Sequence, residues 1–383
     1  MNVVKKIVKV LQKETVLVIA SFLAMISMFF VKPNKGYLDY IDFRVLGILF
    51  CLMIVMAQFQ KLGIFSLIAY KLQKRTGNTL QLMCVLVLLC FFSSMLITND
   101  VALLTFVPFA ILTLKQAGKE KLLLKVVVLQ TIAANLGSML TPVGNPQNLF
   151  LYNLAGFSLI DFVKLMFPYT LASFVLLLIV MLFSKKEVLE RKGHAQIKSG
   201  GEQVGKRFYV NTVIYSVLFV LSLLTVAHIL PYQLVVVIVI VAALFTDRKM
   251  FCKVDYSLLM TFVAFFLFIG NMGQIPAIKN WLYTVIEGRE LLVSIVSSQV
   301  ISNVPAAILL SGFTSRYERL IVGTNLGGLG TLIASMASLI SYKFYVKECP
   351  RNKGMYFWYP SAAGFFLYLA AGFPVLFFFM ASG

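Results

Sequence analysis

Apolar stretches of near-bilayer length recur along this chain, separated by short polar segments. They predict helical crossings at about 15–31, 43–60, 122–152, 165–183, 208–229, 231–246, 255–274, 320–342 and 358–381. The runs are continuously apolar rather than alternating, which excludes a β-barrel. Two further regions, 79–114 and 291–313, carry polar residues near their middles. The second arm of the first, 101–114, is short for a crossing, and 291–313 is too short for two. Each reads as a helical hairpin that enters the membrane and returns with a polar tip. For 79–114 the alternative is two short tilted crossings. The expected fold is all-α and polytopic, with about nine crossings and two re-entrant hairpins.

Composition agrees. The chain has 383 residues, 60% of them hydrophobic, and a mean hydropathy of +0.90. A soluble protein of this length needs far more polar surface. The run from Thr15 to Val31 follows a basic segment as a signal peptide would. It is long for one and lacks a small-residue cleavage site, so it reads as the first crossing.

The net charge is +19, from 34 Lys and Arg against 15 Asp and Glu. These charges lie in short segments between apolar runs, which points to the positive-inside rule rather than to nucleic acid. With a cytoplasmic N-terminus, only Lys32, Lys35, Arg44, Lys164, Lys279, Arg289, Arg316 and Arg319 fall outside. The expected location is the plasma membrane, with the N-terminus inside and Gly383 outside. Basic clusters flank 79–114 at both ends, Lys71, Lys74 and Arg75 before it and Lys115, Lys119 and Lys121 after it. Both clusters belong in the cytoplasm, which is the reason for the hairpin reading. Cys51, Cys84, Cys90, Cys252 and Cys349 show no disulfide or metal spacing.

The polar breaks repeat. Ser93-Ser94-Met95-Leu96-Ile97-Thr98-Asn99 aligns without gaps on Ser297-Ser298-Gln299-Val300-Ile301-Ser302-Asn303. Asn135-Leu136-Gly137 then matches Asn325-Leu326-Gly327, and Thr141 matches Thr331. The chain therefore divides into a cytoplasmic N-terminus (1–14), a first repeat (15–183), a basic loop with a linker helix (184–230) and a second repeat (231–383). A single linker crossing inverts the second repeat, which is the plan of secondary transporters that bind near the midplane.

Chemistry concentrates at these breaks. Asp100 is the one carboxylate within a membrane-length apolar region, and a charge at that depth is costly enough to mark an ion or proton site. Thr141-Pro142-Val143-Gly144-Asn145-Pro146-Gln147-Asn148 holds two prolines and a glycine among amides and a hydroxyl, more polarity than a kink requires. The counterpart from Asn325 to Ser338 has no proline, and its glycines also suit close helix packing. Opened helix ends point carbonyls at a cation and N–H groups at an anion. The candidate substrate and ion residues are thus Thr98, Asn99, Asp100, Asn135, Gly137, Thr141, Pro142, Gly144, Asn145, Gln147, Asn148, Ser302, Asn303, Asn325, Gly327 and Thr331. Asn99, Asp100 and Asn145 are the candidate Na⁺ ligands. His194 and His228 make no metal site, and no nucleotide loop or nucleophile–base set is present, so an enzyme is not expected.

On these strings the chain resembles the ion transporter superfamily of citrate–metal symporters, divalent anion–sodium symporters, arsenite permeases and NhaD-type antiporters. Within it the likeness is greatest to YbiR-like anion permeases, over about residues 15–381. The strings are Thr98-Asn99-Asp100-Val101-Ala102-Leu103, Thr141 to Asn148, and Ser302-Asn303-Val304-Pro305-Ala306. The resemblance implies a Ser-Asn-Thr motif at each tip that helps to bind Na⁺ and substrate. That motif maps here onto Thr98, Asn99 and Asp100, and onto Ser302, Asn303 and Val304. Asp100 replaces a neutral residue, and Val304 replaces a ligand with hydrocarbon. It further implies an elevator-type movement and a homodimer. The expected function is transport of a small anion, such as a di- or tricarboxylate, coupled to Na⁺ or H⁺ without a bound cofactor. A Na⁺/H⁺ antiporter, an arsenite or oxyanion exporter and a channel are the alternatives.

Overall fold

The computed structural model describes residues 14–73, 76–184, 186–188 and 206–349, with 360, 362, 364 and 366. The N-terminal segment, most of the basic loop and nearly all of the expected crossing at 358–381 lie outside the described residues. Those described form helices joined by short turns; the β pairing among them is a bridge between Asn78 and Val188.

The first part of the chain forms α1 (Thr15–Phe30), α2 (Phe43–Leu62), α3 (Ile64–Gln73), α4 (Thr79–Ser93), α5 (Asn99–Gln116), α6 (Leu123–Ser138), α7 (Pro146–Ala155) and α8 (Leu159–Leu182). The second forms α9 (Lys206–Val226), α10 (Tyr232–Thr246), α11 (Tyr256–Gly273), α12 (Pro276–Ile286), α13 (Glu290–Ile301), α14 (Asn303–Ser311), α15 (Tyr317–Leu326) and α16 (Met336–Glu348). Starts are set by side-chain caps: Asp42 accepts from the Val45 N–H, Asn78 from Gln81 and Asp255 from Leu258, each at 2.9 Å. Gly63 and Gly156 end α2 and α7 in the left-handed conformation.

Among the described residues, five helices are long and apolar enough to cross a bilayer: Phe43–Leu62, Glu120–Ser138, Leu159–Leu182, Arg207–Val226 and Tyr256–Gly273. Of the other expected crossings within the described residues, two form shorter helices and one is broken where its polar segment predicts. Those at 15–31 and 231–246 form helices of 16 and 15 residues, and 320–342 is divided between α15 and α16. Two helices were not expected. α3 and α12 occupy segments read as polar connections, because each is only 10 or 11 residues long and mixes apolar with charged positions.

Helix faces among the described residues expose large apolar side chains. In α8, Phe162, Met166, Thr170, Ser173, Leu177 and Met181 form one buried stripe. Phe167, Leu171, Val175, Ile179 and Leu182 on its other faces are exposed. A helix with one face in a core and the rest hydrophobic is suited to lipid. The protein is a multi-pass helical membrane protein.

Both polar-tipped regions are helical hairpins, α4–α5 and α13–α14. Packing is crossed between the two parts. α1 lies on α11 and α10 on α2; α5 lies on α16 and α14 on α7; α6 touches α16 and α15 touches α7. Within each part, the first hairpin arm packs against the helix before the break, α4 on α6 and α13 on α15. Glycine makes the first of these contacts possible. A Cβ at Gly137 would stand 2.0 Å from the Phe91 carbonyl oxygen and 2.7 Å from Ser94 Oγ. Gly137→Ala is expected to destabilise the protein by about 1–3 kcal/mol through overpacking. Gly273→Ala, with nothing near the added carbon, should leave it within about 1 kcal/mol of the parent. Thermal unfolding of the purified protein in detergent compares the two.

Candidate functional site

The first break follows from its prolines. α6 stops at Ser138, and Thr141 caps a single turn at Pro142–Gly144. Asn145 is extended, and Pro146 begins α7 where a missing N–H costs nothing. Gly144 is required, since a Cβ there would lie 2.0 Å from the Ser138 carbonyl oxygen. The Thr141 hydroxyl accepts from the Gly144 N–H at 3.2 Å and donates to the Met95 carbonyl at 2.5 Å. The break is thereby tied to the turn of hairpin α4–α5.

The second break lies between α15 and α16 and repeats these bonds without proline. The Thr331 hydroxyl donates to the Gln299 carbonyl at 3.0 Å and accepts from the Ala334 N–H at 3.2 Å. At the hairpin tips, Asn99 Oδ1 accepts from the Asp100 N–H and Asn303 Oδ1 from the Val304 N–H, both at 2.9 Å. Ser302 has a left-handed φ of 74°. Its strained turn is held where the Asn303 N–H donates to the Ala334 carbonyl at 3.0 Å.

Between the breaks lies a buried cluster of amides and hydroxyls. Asn99 Nδ2 donates to Asn135 Oδ1 at 3.0 Å, and the same oxygen accepts from Ser335 Oγ at 2.9 Å. Asn145 Nδ2 donates to Ser138 Oγ at 2.7 Å and to Asn325 Oδ1 at 3.3 Å. Asn325 Nδ2 donates to Asn148 Oδ1 at 2.6 Å, and Asn148 Nδ2 to the Thr141 carbonyl at 3.2 Å. Each pre-break asparagine thus meets the opposite break: Asn135 meets Ser335, and Asn325 meets Asn145 and Asn148.

The sequence candidates divide accordingly. Asn99, Asn135, Asn145, Asn148 and Asn325 come together through these bonds. Thr98 precedes α5 at the tip, and Pro142 is buried in the first break. Ser302, Asn303 and Thr331 bond within the second break and its hairpin. Gly137 and Gly327 lie under the hairpin arms, where an added Cβ would meet Ser94 and Ser298. Two side chains retain bonding capacity. Among the described residues, Asp100 Oδ1 is buried without a hydrogen-bond partner, and so are both amide atoms of the fully buried Gln147. Ser138, Ser335 and Gln299 were missed. Ser335 had a signal, since it follows Asn325 at the spacing by which Asn145 follows Asn135.

Chemically the cluster offers neutral oxygens and N–H donors, and the first hairpin tip adds one carboxylate, Asp100. Among the described residues no group of three or more His, Cys, Asp or Glu could hold a metal. Amide, hydroxyl and carbonyl oxygens with a single carboxylate suit a hard monovalent cation or a proton rather than a transition metal.

The sequence pattern described as citrate transporter matches residues 7–315. A protein of Methanocaldococcus jannaschii, described as an uncharacterized transporter, is 32% identical over 79% of this chain and 81% of its own. The inner membrane protein YbiR of Escherichia coli is 30% identical over 83% of this chain and 84% of its own. The silicon efflux transporter LSI3 of Oryza sativa subsp. japonica is 30% identical over a shorter part, 41% of this chain and 32% of its own. With pattern and relatives agreeing over most of its length, the chain is a membrane transporter and belongs to the citrate transporter family.

Proposed function

We propose that this protein is a secondary transporter that couples movement of a small anion to Na⁺ or H⁺. The carrying observation is the buried amide cluster shared by the two breaks, together with Asp100 at the tip of α5, whose Oδ1 is buried without a hydrogen-bond partner among the described residues. A buried carboxylate oxygen without a donor is expensive unless a cation or proton meets it. The two halves act as inverted repeats on this reading, supported by the crossed packing of α1 with α11 and α10 with α2. Hairpins and breaks move together as the carrying block in an elevator-type step, supported by their mutual bonds through Thr141 and Thr331. The anion is held by amide donors and opened helix N-termini. The protein resides in the plasma membrane, N-terminus inside, as a homodimer.

A second reading is export of a hydroxylated oxyanion species, favoured by the relative named for silicon efflux. The hydrogen bonds of the cluster include no Lys or Arg that would neutralise a multivalent anion. A Na⁺/H⁺ antiporter would use the same carboxylate.

In proteoliposomes, Asp100→Asn is expected to weaken cation dependence roughly tenfold or more, equivalent to ~1.4 kcal/mol or above, with the fold intact. Unchanged Na⁺ and pH dependence of uptake would remove Asp100 from the coupling site. Asn99→Ala and Asn145→Ala should each weaken apparent cation affinity more than Asn303→Ala, because Val304 offers no oxygen where Asp100 does. Equal losses from all three, in cation titrations at fixed substrate, would show that both halves share the cation. For topology, single cysteines at Lys74 and Lys119 should label from the cytoplasm, and those at Arg289 and Arg316 from outside. Labelling from opposite sides within either pair would refute the re-entrant hairpins.

A further inference from the structure

The two breaks differ at a residue that reaches each from its own hairpin. Gln299 stands on α13 in the place that Met95 holds before the first tip, by the gapless match of Ser93–Asn99 to Ser297–Asn303. Their backbones do the same thing: each carbonyl accepts from the threonine hydroxyl of its own break, Thr141 at 2.5 Å and Thr331 at 3.0 Å. Their side chains do not. Gln299 Nε2 donates to the Gly327 carbonyl at 2.7 Å and to the Leu329 carbonyl at 2.6 Å. Its Oε1 accepts from the Thr331 N–H at 2.9 Å. The loop closes around it at Gly330, whose φ is 115° and where a Cβ would lie 2.4 Å from Gln299 Oε1. A methionine has no N–H and cannot make these bonds.

Carbonyl oxygens converging on one point from an opened helix are among the ligands a desolvated cation requires. At the second break the two protons of an uncharged amide already fill that point. The neighbouring Val304 adds hydrocarbon where the first half has a carboxylate. We propose that Gln299 is a built-in substitute for a second coupling cation, so that the protein takes up cation only in its first half. This rests on reading the breaks as cation positions. It makes Gln299 the residue that sets coupling stoichiometry.

The test is ²²Na⁺ binding to the purified full chain, with thermal unfolding at graded Na⁺. The parent should bind about one Na⁺ per protomer, and Gln299→Glu about two, since the carboxylate keeps the shape and the acceptor for Thr331 while becoming an oxygen ligand. Gln299→Glu should also unfold at a temperature that rises with Na⁺ more steeply than the parent's. Gln299→Met, which copies Met95, should gain a weaker second site. The double variant Asp100→Asn with Gln299→Glu separates this idea from the reading of Asp100. It should bind one Na⁺ more than Asp100→Asn alone, whether or not that substitution silences the first site. A parent that binds two cations overturns the proposal. So does a Gln299→Glu protein with the parent's stoichiometry and the parent's Na⁺ dependence of unfolding.

Discussion

A helix opened inside an apolar protein strands carbonyl and N–H groups that water would otherwise satisfy. Each one left without a partner costs about 1–3 kcal/mol. The two breaks, at 139–145 and 327–335, expose many such groups at once, and the rest of the core is arranged around them. Thr141 and Thr331 close one turn of each break and bond it to its hairpin. Asn148 returns to the Thr141 carbonyl, and Gln299 takes the Gly327 and Leu329 carbonyls. The hairpins themselves are kept close by Gly137 and Gly327, where any larger residue would push the arms away.

Satisfying the backbone also equips the interior for transport. Neutral amides can accept a cation or donate to an anion without the desolvation cost of a buried ion pair. On the proposed reading, the one formal charge, Asp100, sets where the cation goes, and the amides set what accompanies it. The asymmetry between the halves is then chemical rather than architectural. The threonine and tip-asparagine bonds recur in both, while Asp100 faces Val304 and Met95 faces Gln299 in the alignment.

Much of this was legible beforehand for definite reasons. Pro142 and Pro146 marked the first break because proline removes helix donors wherever it stands. Asn135 and Asn325 were found because asparagine in an apolar helix is rare enough for a repeated spacing to carry meaning. Gln299 and Ser138 were passed over because a single glutamine or serine in such a run gives no local sign of its partner, and the spacing of Ser335 from Asn325 was the one sign left unread. Those partners are distant in sequence and known only from packing. Gly137 and Gly327 entered as candidate ligands, and their surroundings show in addition that only a glycine fits under the hairpin arms. The helices α3 and α12 escaped notice because a short mixed run between crossings resembles a loop when only hydropathy is read.

The crossed packing has a consequence for how the protein is made. Asn135 meets Ser335 across 200 positions, and Lys115 meets Glu348 across 233. Neither half can finish its polar interior alone. During synthesis the first hairpin and first break enter the bilayer well before the residues that complete them have left the ribosome. Contacts this distant in sequence close late and slowly. For that interval the asparagines of the first half must bond to one another, to water drawn into the membrane, or to a helper protein that shields them. The nascent chain is therefore most vulnerable to quality-control proteolysis while its second half is still being translated.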